Sequence, residues 1–92
     1  MRFEWDFDKA QRNQARHGVT FAEAQEAFFE PNAVDDYDET HSTSEARYNL
    51  IGMSNRRLLF IVYSEPEPNT IRIISARKAE RKHQRIYAQK ER

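Results

Sequence analysis

Cysteine is absent from the 92-residue chain, and glycine and proline are scarce, with two and three residues respectively. Without cysteine, the chain has no disulfide framework and no thiolate zinc site. A charged fraction of 33% with so little glycine and proline is typical of a globular protein and excludes a collagen-like or low-complexity chain. No apolar run approaches the roughly 20 residues of a membrane span, and the N-terminal residues lack the apolar core of a signal peptide, so we expect a cytoplasmic protein without membrane contact.

The net charge of zero hides an uneven distribution along the chain. Residues 1–46 contain 4 basic and 11 acidic residues, a net charge of −7, so residues 47–92 carry +7. This asymmetry indicates an anionic partner for the basic half, although salt bridges between the halves explain it equally well. A chain of this length has room for one modest hydrophobic core, so we expect a single domain over residues 1–92.

The first residues predict a short strand and a helix. Alternating polar and apolar residues over 2–6 indicate the strand. Good helix formers follow from Lys9 to His17, and Gly18 stands where a left-handed residue ends a helix at least steric cost. Either Asp6 or Asp8 is suited to cap the start of this helix.

A second helix is predicted to begin with a capping box. In that motif the Thr20 hydroxyl and the Glu23 carboxylate each accept a hydrogen bond from the other residue's amide. The apolar side of the helix is formed by Phe21, Ala24, Ala27 and Phe28. Pro31 is expected to close the segment. The acidic stretch Asn32–Thr43 then indicates a loop with a short edge strand at Val34–Tyr37.

The second half predicts three strands and a third helix. The strands cover Arg47–Met53, Arg57–Tyr63 and Ile71–Ala76, and the middle one is apolar on both faces, as a central strand is. A proline-containing loop, Ser64–Thr70, joins the last two, which indicates an antiparallel meander. After Ser75 the apolar period changes from two to about 3.6, typical of a helix. The predicted fold class is therefore α+β, with a small, mostly antiparallel sheet, two N-terminal helices and a C-terminal helix.

The junction between the last strand and the last helix, IRIISARKAERK at residues 71–82, is strongly basic. We expect Arg77 and Lys78 at the start of the helix, where free amides and the positive end of the helix dipole favour an anion such as phosphate. Arg81 and Arg85 continue the basic run along the helix. The alternative is that the run is an ordinary solvated helix face.

Arg72 lies inside the last strand, where its side chain is expected on one face with Ile74 and Ala76. If the strands form a meander, Arg47 and Tyr63 reach the same neighbourhood. Several arginines on one sheet face can clamp a phosphodiester and stabilise the charge that develops during its cleavage. The alternative is a set of ion pairs between these arginines and the acidic half.

The side chains suited by type to acid–base catalysis near neutral pH are His17, His41 and His83. Their spacing is not that of a metal site, and the sequence has no Gly-rich phosphate loop or nucleophile elbow, so we expect no metal and no cofactor. His17 precedes Gly18, where an imidazolium is equally well explained as a helix cap. His41 forms the more suggestive cluster, because it lies four residues before Glu45 and six before Arg47.

Five short motifs occur in order along nearly the whole chain. They are F-x-W-D at Phe3–Asp6 with Lys9 and Asn13, H-G-V-x-F at His17–Phe21, H-S-x-x-E-x-R at His41–Arg47, Ile51-Gly52, and R-I-I-S-A-R at Arg72–Arg77. Through them the sequence resembles the BrnT toxins of bacterial type II toxin–antitoxin systems. Each motif is weak alone, but the set and its order are specific in so short a chain. The resemblance implies a RelE-like fold and a metal-independent endoribonuclease, in which a ribose 2′-hydroxyl attacks its own phosphodiester.

The resemblance also implies roles for the residues singled out above. Arg72 and Arg77 are expected at the phosphate, with Arg47 as a second clamp. The candidates for proton transfer are Glu45, His41 and His17, with Tyr63 and Tyr87 as tyrosine alternatives. The residues expected to contact RNA are Lys9, Lys78, Arg81, Arg85 and Tyr63.

Membership of such a family would also imply partners. The expected antitoxin is of the BrnA type, a small DNA-binding protein that sequesters the toxin in a heterotetramer and represses their shared operon. Operator DNA is then contacted only through the antitoxin, and the substrate is RNA, free or on the ribosome. Two other hypotheses are a non-catalytic module that binds the antitoxin or nucleic acid, and a chain whose basic half only neutralises its acidic half.

Overall fold

The computed structural model describes residues 1–90, with three helices and five strands. In chain order these elements are β1 (Arg2–Glu4), α1 (Phe7–His17), α2 (Phe21–Ala27), β2 (Val34–Tyr37), β3 (Arg47–Met53), β4 (Leu58–Glu67), β5 (Thr70–Lys78) and α3 (Arg81–Lys90). The element types follow the sequence prediction. The bounds of β2 and β3 coincide with the predicted ones, whereas β4, β5 and α3 begin or end elsewhere.

All five strands form one mixed sheet in the order β1-β5-β4-β3-β2. β2 through β5 pair antiparallel with their neighbours in the chain, and β1 pairs parallel to β5 at the far edge. The sheet therefore has β4 at its centre, which fits the apolar character of that strand on both faces.

The core lies between the sheet and the first two helices. Its fully buried large side chains are Val19, Phe21, Leu59, Ile61 and Ile73. α3 lies against the opposite face, where His83 stacks on Phe60 with ring centroids 4.1 Å apart. Because successive strand residues point to opposite faces, Phe60 lies between two core residues of β4 and faces away from α1 and α2.

Local capping explains the bounds of α1. The Asp6 carboxylate accepts a hydrogen bond from the Lys9 amide at 2.9 Å, so the helix begins at Phe7, two residues before the predicted start. Gly18 ends it in the left-handed conformation with φ 69°, as the sequence predicts. The buried Asn13 side chain then fastens the helix to β5, because it donates to the Ala76 carbonyl at 2.8 Å and accepts from the Ala76 amide at 3.1 Å.

The predicted capping box of α2 is half formed. The Thr20 hydroxyl accepts from the Glu23 amide at 3.0 Å, as expected. The Glu23 carboxylate does not return to Thr20, because it accepts hydrogen bonds from the Arg57 guanidinium and the Ser54 hydroxyl instead. The bond from Arg57 holds the pKa of the Glu23 carboxyl below its ordinary value although burial opposes this. The helix ends at Ala27, before the predicted stop at Pro31.

The largest correction concerns the junction of β5 and α3. β4 continues to Glu67 through the segment predicted as a loop, and a turn with Asn69 at φ 63° leads into β5. β5 then runs to Lys78, because Phe60 and Leu59 of β4 pair with Arg77 and Lys78. Arg77 and Lys78 are therefore strand residues, and the predicted anion site at the start of a helix is wrong.

A bulge in β5 changes which side chains share a face. Val62 pairs with Ser75 while Tyr63 pairs with Ile73, so Ile74 is an extra residue in the ladder. After the bulge the alternation is inverted. The sequence suggested that Ala76 shares the face of Arg72, but Ala76 is fully buried in the core. The same inversion turns Ser75 and Arg77 to the face that the first two helices leave uncovered.

Candidate active site

A groove lies on the sheet face opposite α1 and α2. Its volume is about 430 Å³. It is lined by Asp38, His41, Arg47, Asn49, Phe60, Val62, Ile74, Ser75 and Arg77. We refer to it as the open-face groove. It brings together three of the residues that the sequence singled out from two distant motifs, namely His41, Arg47 and Arg77.

Arg77 is held over an aromatic ring in this groove. Its guanidinium carbon lies 5.3 Å from the centroid of Phe60, the residue opposite it on β4, and one terminal nitrogen lies 3.6 Å from the Glu80 carboxylate. Its Nε is buried, yet that donor has no hydrogen-bond partner among the described residues. The Arg77 side chain as a whole is 42% exposed, so other parts of it are accessible from the groove.

Arg47 and Arg72 lie on either side of one residue of β4. Ser64 pairs with Arg47 on one side and with Arg72 on the other, so the two arginine backbones are two strand spacings apart, about 10 Å. Along β4, Ser64 lies four residues from Phe60, the residue that pairs with Arg77, which is about 13 Å. The register thus places Arg47 and Arg72 near each other, as the sequence predicted, and Arg77, which was expected at the start of a helix, lies on the same sheet.

The side chain of Arg72, however, is engaged elsewhere. Its Nε donates to Glu4 at 2.8 Å and one terminal nitrogen donates to Glu45 at 3.4 Å. Arg72 borders a neighbouring cavity with Trp5 and Lys9, and it does not line the open-face groove. For Arg72 and Glu45, therefore, the ion-pair alternative describes the structure.

His41 carries a carboxylate partner that the sequence analysis missed. Its Nδ1 lies 2.9 Å from Oδ2 of Asp38, and its amide donates to the other carboxylate oxygen at 3.3 Å. Partial desolvation opposes ionisation of Asp38, but these two bonds hold the pKa of its carboxyl below the ordinary value. Since a carboxylate only accepts hydrogen bonds, Nδ1 carries the proton and Nε2 remains free to accept one.

Backbone contacts of one loop hold this histidine beside Arg47. The Asp38 amide donates to the Arg47 carbonyl at 2.8 Å, and the Arg47 amide donates to the Ser42 hydroxyl at 2.9 Å. The loop between β2 and β3 is thereby closed on the first residue of β3. The only sequence signal for the contact was the spacing of Asp38 and His41, three residues apart in a polar loop.

Several predicted residues lie away from the groove. Tyr63 is only 4% exposed and belongs to the core, where its hydroxyl donates to Asp35 at 3.3 Å and burial raises its pKa. Tyr63 faces the first two helices and not the groove. The structure therefore does not support the prediction that Tyr63 contacts RNA or transfers a proton. The Tyr87 hydroxyl donates to Glu30 at 2.6 Å, outside the groove.

The basic residues of α3 are also separate from the groove. Arg81 and Arg85 are exposed, and neither lines it. The side of α3 that faces the sheet presents Lys82, His83 and Ile86 to a second cavity of about 510 Å³. Lys78 is exposed at the end of β5. The structure therefore does not bring these three cations, Lys78, Arg81 and Arg85, to the groove.

His83 has a structural role at the start of α3. It is 5% exposed, and its Nδ1 accepts a hydrogen bond from the Glu80 amide at 3.0 Å. Burial, and then the nearby charge of Lys82, lower the pKa of the imidazole. A neutral ring is the form that can accept this bond.

His17 and Lys9 lie on α1 beside the groove. A smaller cavity of about 190 Å³ is lined by Lys9, Arg12, Asn13, Arg16, His17, Ile74 and Ser75. Ile74 and Ser75 also line the open-face groove, so the two cavities adjoin along β5.

Two negative findings apply to residues 1–90. They contain no group of three or more His, Cys, Asp or Glu side chains placed to hold a metal ion. None of their helices has both the length and the apolar character required to cross a membrane.

Comparisons with known proteins indicate the same family as the sequence motifs. A family model described as "Ribonuclease toxin, BrnT, of type II toxin-antitoxin system" matches residues 5–83. The crystal structure of the Brucella abortus ribonuclease toxin BrnT has the same fold, with a TM-score of 0.70, 24% identity, and coverage of 88% of this chain and 99% of that chain. Comparison with curated protein sequences gave no match.

Proposed function

Because the chain belongs to the BrnT ribonuclease toxins of type II toxin–antitoxin systems, we propose that it is an endoribonuclease that cleaves RNA in the open-face groove. One observation supports the assignment of RNA cleavage to this groove. A histidine with a carboxylate partner, Arg47, and an arginine with an unpaired buried donor all line the same cavity. That is a set of groups able to accept a proton and to neutralise a phosphate.

The reaction requires no group beyond those of the chain. His41 Nε2 takes the proton of the ribose 2′-hydroxyl, whose oxygen attacks the adjacent phosphorus. The bond from phosphorus to the 5′ oxygen breaks, that oxygen takes a proton from water, and the imidazolium gives its proton to the hydroxide so formed. The products are a 2′,3′-cyclic phosphate and a 5′-hydroxyl. Arg77 and Arg47 stabilise the charge that builds on the phosphate oxygens in the transition state.

His41 is a better candidate for the base than Glu45, which the sequence also suggested. The Glu45 carboxylate accepts a hydrogen bond from Arg72, and it does not line the groove. His41 faces the groove and is oriented by Asp38 through its other ring nitrogen. We therefore assign Glu45 and Arg72 a supporting role, as an ion pair beside the site.

The remaining features of the proposal rest on family membership. We propose a metal-independent enzyme of the RelE-like type, which acts in the cytoplasm, inhibits translation by cutting RNA on or off the ribosome, and slows growth. A BrnA-type antitoxin neutralises the toxin in a heterotetramer and alone contacts operator DNA.

The test uses the purified chain and single-stranded RNA in the presence of excess EDTA. We expect cleavage to persist, and mass spectrometry to find cyclic phosphate and 5′-hydroxyl ends. A matched oligonucleotide with a single 2′-deoxy substitution at the cut position should resist cleavage there. Loss of activity on chelation would reject the metal-independent mechanism, and soluble, folded protein that never cuts RNA would favour the non-catalytic module.

A further inference from the structure

One side of α1 carries an unusual concentration of cations. Lys9, Arg12, Arg16 and His17 are spaced by three, four and one residues, which places all four on one side of a helix. Lys9, Arg12 and Arg16 are exposed. The one acidic residue of α1 is Asp8, in the first turn. We refer to these four residues as the α1 basic surface.

Internal ion pairs do not account for this surface. Within residues 1–90, other arginines are paired, since Arg57 contacts Glu23, Arg72 contacts Glu4, and Arg77 contacts Glu80. No cation of the α1 basic surface forms an ion pair in the same part of the chain. Ion pairs with acidic residues of the described part of the chain therefore do not account for the α1 basic surface.

Helix electrostatics explain only half of it. Arg16 and His17 lie in the last turn, where cations interact favourably with the negative end of the helix dipole. Lys9 and Arg12 lie in the first half of the helix and gain nothing from the dipole. Their position therefore needs another explanation.

The position of the surface relative to the groove supplies one. Asn13, in the middle of α1, is bonded to both the amide and the carbonyl of Ala76, and this fixes the helix against the end of β5. The cavity bordered by the α1 basic surface shares Ile74 and Ser75 with the open-face groove. A chain of phosphates can therefore leave the groove across Ser75 and pass directly along the cations of α1.

We propose that the α1 basic surface is a second RNA-binding site, which holds the phosphate backbone of the strand next to the cut position. This inference rests on the proposed function, because it gives the RNA in the groove a direction of exit. In this role the α1 basic surface takes the place of Arg81 and Arg85 of α3, which were predicted from the sequence to contact RNA. Backbone contacts of this kind give affinity and salt dependence, but they do not select a base sequence.

The experiment compares two double variants that remove the same charge. Arg12→Ala with Arg16→Ala tests the surface, and Arg81→Ala with Arg85→Ala is the control on the exposed side of α3. Binding is measured with an RNA oligonucleotide whose 2′-hydroxyls are methylated, so that it is not cut. The dissociation constant is determined across a series of salt concentrations, and circular dichroism melts confirm that both proteins are folded.

We expect the α1 variant to reduce the slope of log K against log salt by about 1.4, since each phosphate contact to a single strand contributes about 0.7. The α3 control should keep the slope of the unmodified protein. On cleavable RNA, the α1 variant should raise KM and leave kcat within about twofold, because these residues touch no reacting atom. Should either variant aggregate, the corresponding Arg→Gln pair removes the same charges with less loss of side chain.

The outcomes separate the two proposals. Equal slopes for the α1 variant and the unmodified protein would overturn this inference, even if the enzyme cuts RNA. A reduced slope restricted to the α3 variant would overturn it as well. A reduced slope in the α1 variant, with unmodified protein that binds but never cuts RNA, would support the binding surface and reject the proposed ribonuclease activity.

Discussion

At the scale of single residues, the two arginines of the groove differ in how they are held. Arg77 is placed over Phe60 and carries a buried Nε without a protein partner in the described range. Arg47 is fixed through its backbone to the loop that carries His41. Arg77 is therefore the better candidate for contact with the reacting phosphate. Arg47 is the candidate for holding that phosphate beside His41, the proposed base.

Replacement of Arg77 tests this assignment. Arg77→Ala should lower the cleavage rate by about 10²-fold, comparable with the loss of one transition-state donor. Arg81→Ala removes the same charge four residues later, outside the groove, and should change the rate less than about twofold. Single-turnover cleavage of saturating RNA by both folded proteins provides the comparison. If the two substitutions have the same small effect, the groove is not the site of cleavage.

In the proposed mechanism Asp38 is a positioning residue, because it acts on the reaction through His41. Asp38→Asn should lower kcat by about tenfold, because the amide can donate to Nδ1 and so favour the wrong tautomer. KM should stay within about twofold, because Asp38 orients the base and has no proposed contact with the substrate.

A simple structural defect would lower the thermal stability as well, so melts of the variant accompany the assay. Asp38→Glu keeps an acceptor for Nδ1 of His41, and we expect it to restore part of kcat. An unchanged kcat in folded Asp38→Asn would show that Asp38 does not position the base.

At the scale of secondary structure, α3 is attached to the sheet by few side chains. His83 stacks on Phe60 and accepts from the Glu80 amide, and Ile86 remains 46% exposed. Further along α3, Tyr87 is held by Glu30, whereas the start of the helix depends on the neutral form of His83. We therefore expect the start of α3 to be sensitive to mild acid.

The lowered pKa of His83 determines the direction in which the stability of the protein changes with pH. Because the folded-state value lies below the ordinary value of 6.5, the unfolded chain binds the proton first as the pH falls. The stability that neutral His83 provides is therefore complete above about pH 6.5 and is lost as the pH falls through the folded value. The charged groups nearby that contribute to the shift are Lys82, Glu80 and Arg77.

Urea denaturation at pH 7.5 and pH 5.5 measures this effect. The free energy of unfolding of the unmodified protein should fall between these values, and His83→Gln should reduce the fall, because its amide oxygen accepts from Glu80 at both pH values. His41→Gln changes an exposed histidine and should keep the fall. Equal pH dependence in all three proteins would contradict the proposed role of His83.

At the scale of the whole molecule, the acidic and basic halves meet in specific places. Arg57 pairs with Glu23, and Arg72 pairs with both Glu4 and Glu45, so each of these contacts joins the two halves. The two pairs of Arg72 are partly exposed, and such pairs contribute little, about 0–1 kcal/mol each. The internal explanation of the charge asymmetry thus describes Arg57 and Arg72, and the external one is left for Arg47 and Arg77 of the groove.

An antitoxin that covers this basic region must compete with RNA for it. We expect the association rate constant of the BrnA-type partner to fall at least about tenfold when the ionic strength is raised from low to high, because steering between charged surfaces is screened. Surface plasmon resonance over a salt series measures the rate, and the Arg12→Ala, Arg16→Ala variant should show a shallower dependence. A rate constant that does not change with salt would place the partner on a mainly apolar surface elsewhere.

The features that the sequence predicted correctly are local ones. The cap at Thr20 and the stop at Gly18 depend on residues a few positions apart, whose preferred conformations need no distant partner. The bounds of β2 and β3 also match the prediction. The family is also accessible from the sequence, because its motifs are short and ordered along the chain.

The tertiary structure alone decided the geometry of the site. β5 extends to Lys78 because β4 supplies pairing partners there, and a strand's length depends on its neighbour in the sheet. The bulge at Ile74 exchanges the faces of the residues that follow, and no pattern in the sequence marks it. Arg77 reaches the groove through that exchange, while Tyr63, on the other face, is removed from it. His41 gains its carboxylate partner only because the loop closes on Arg47.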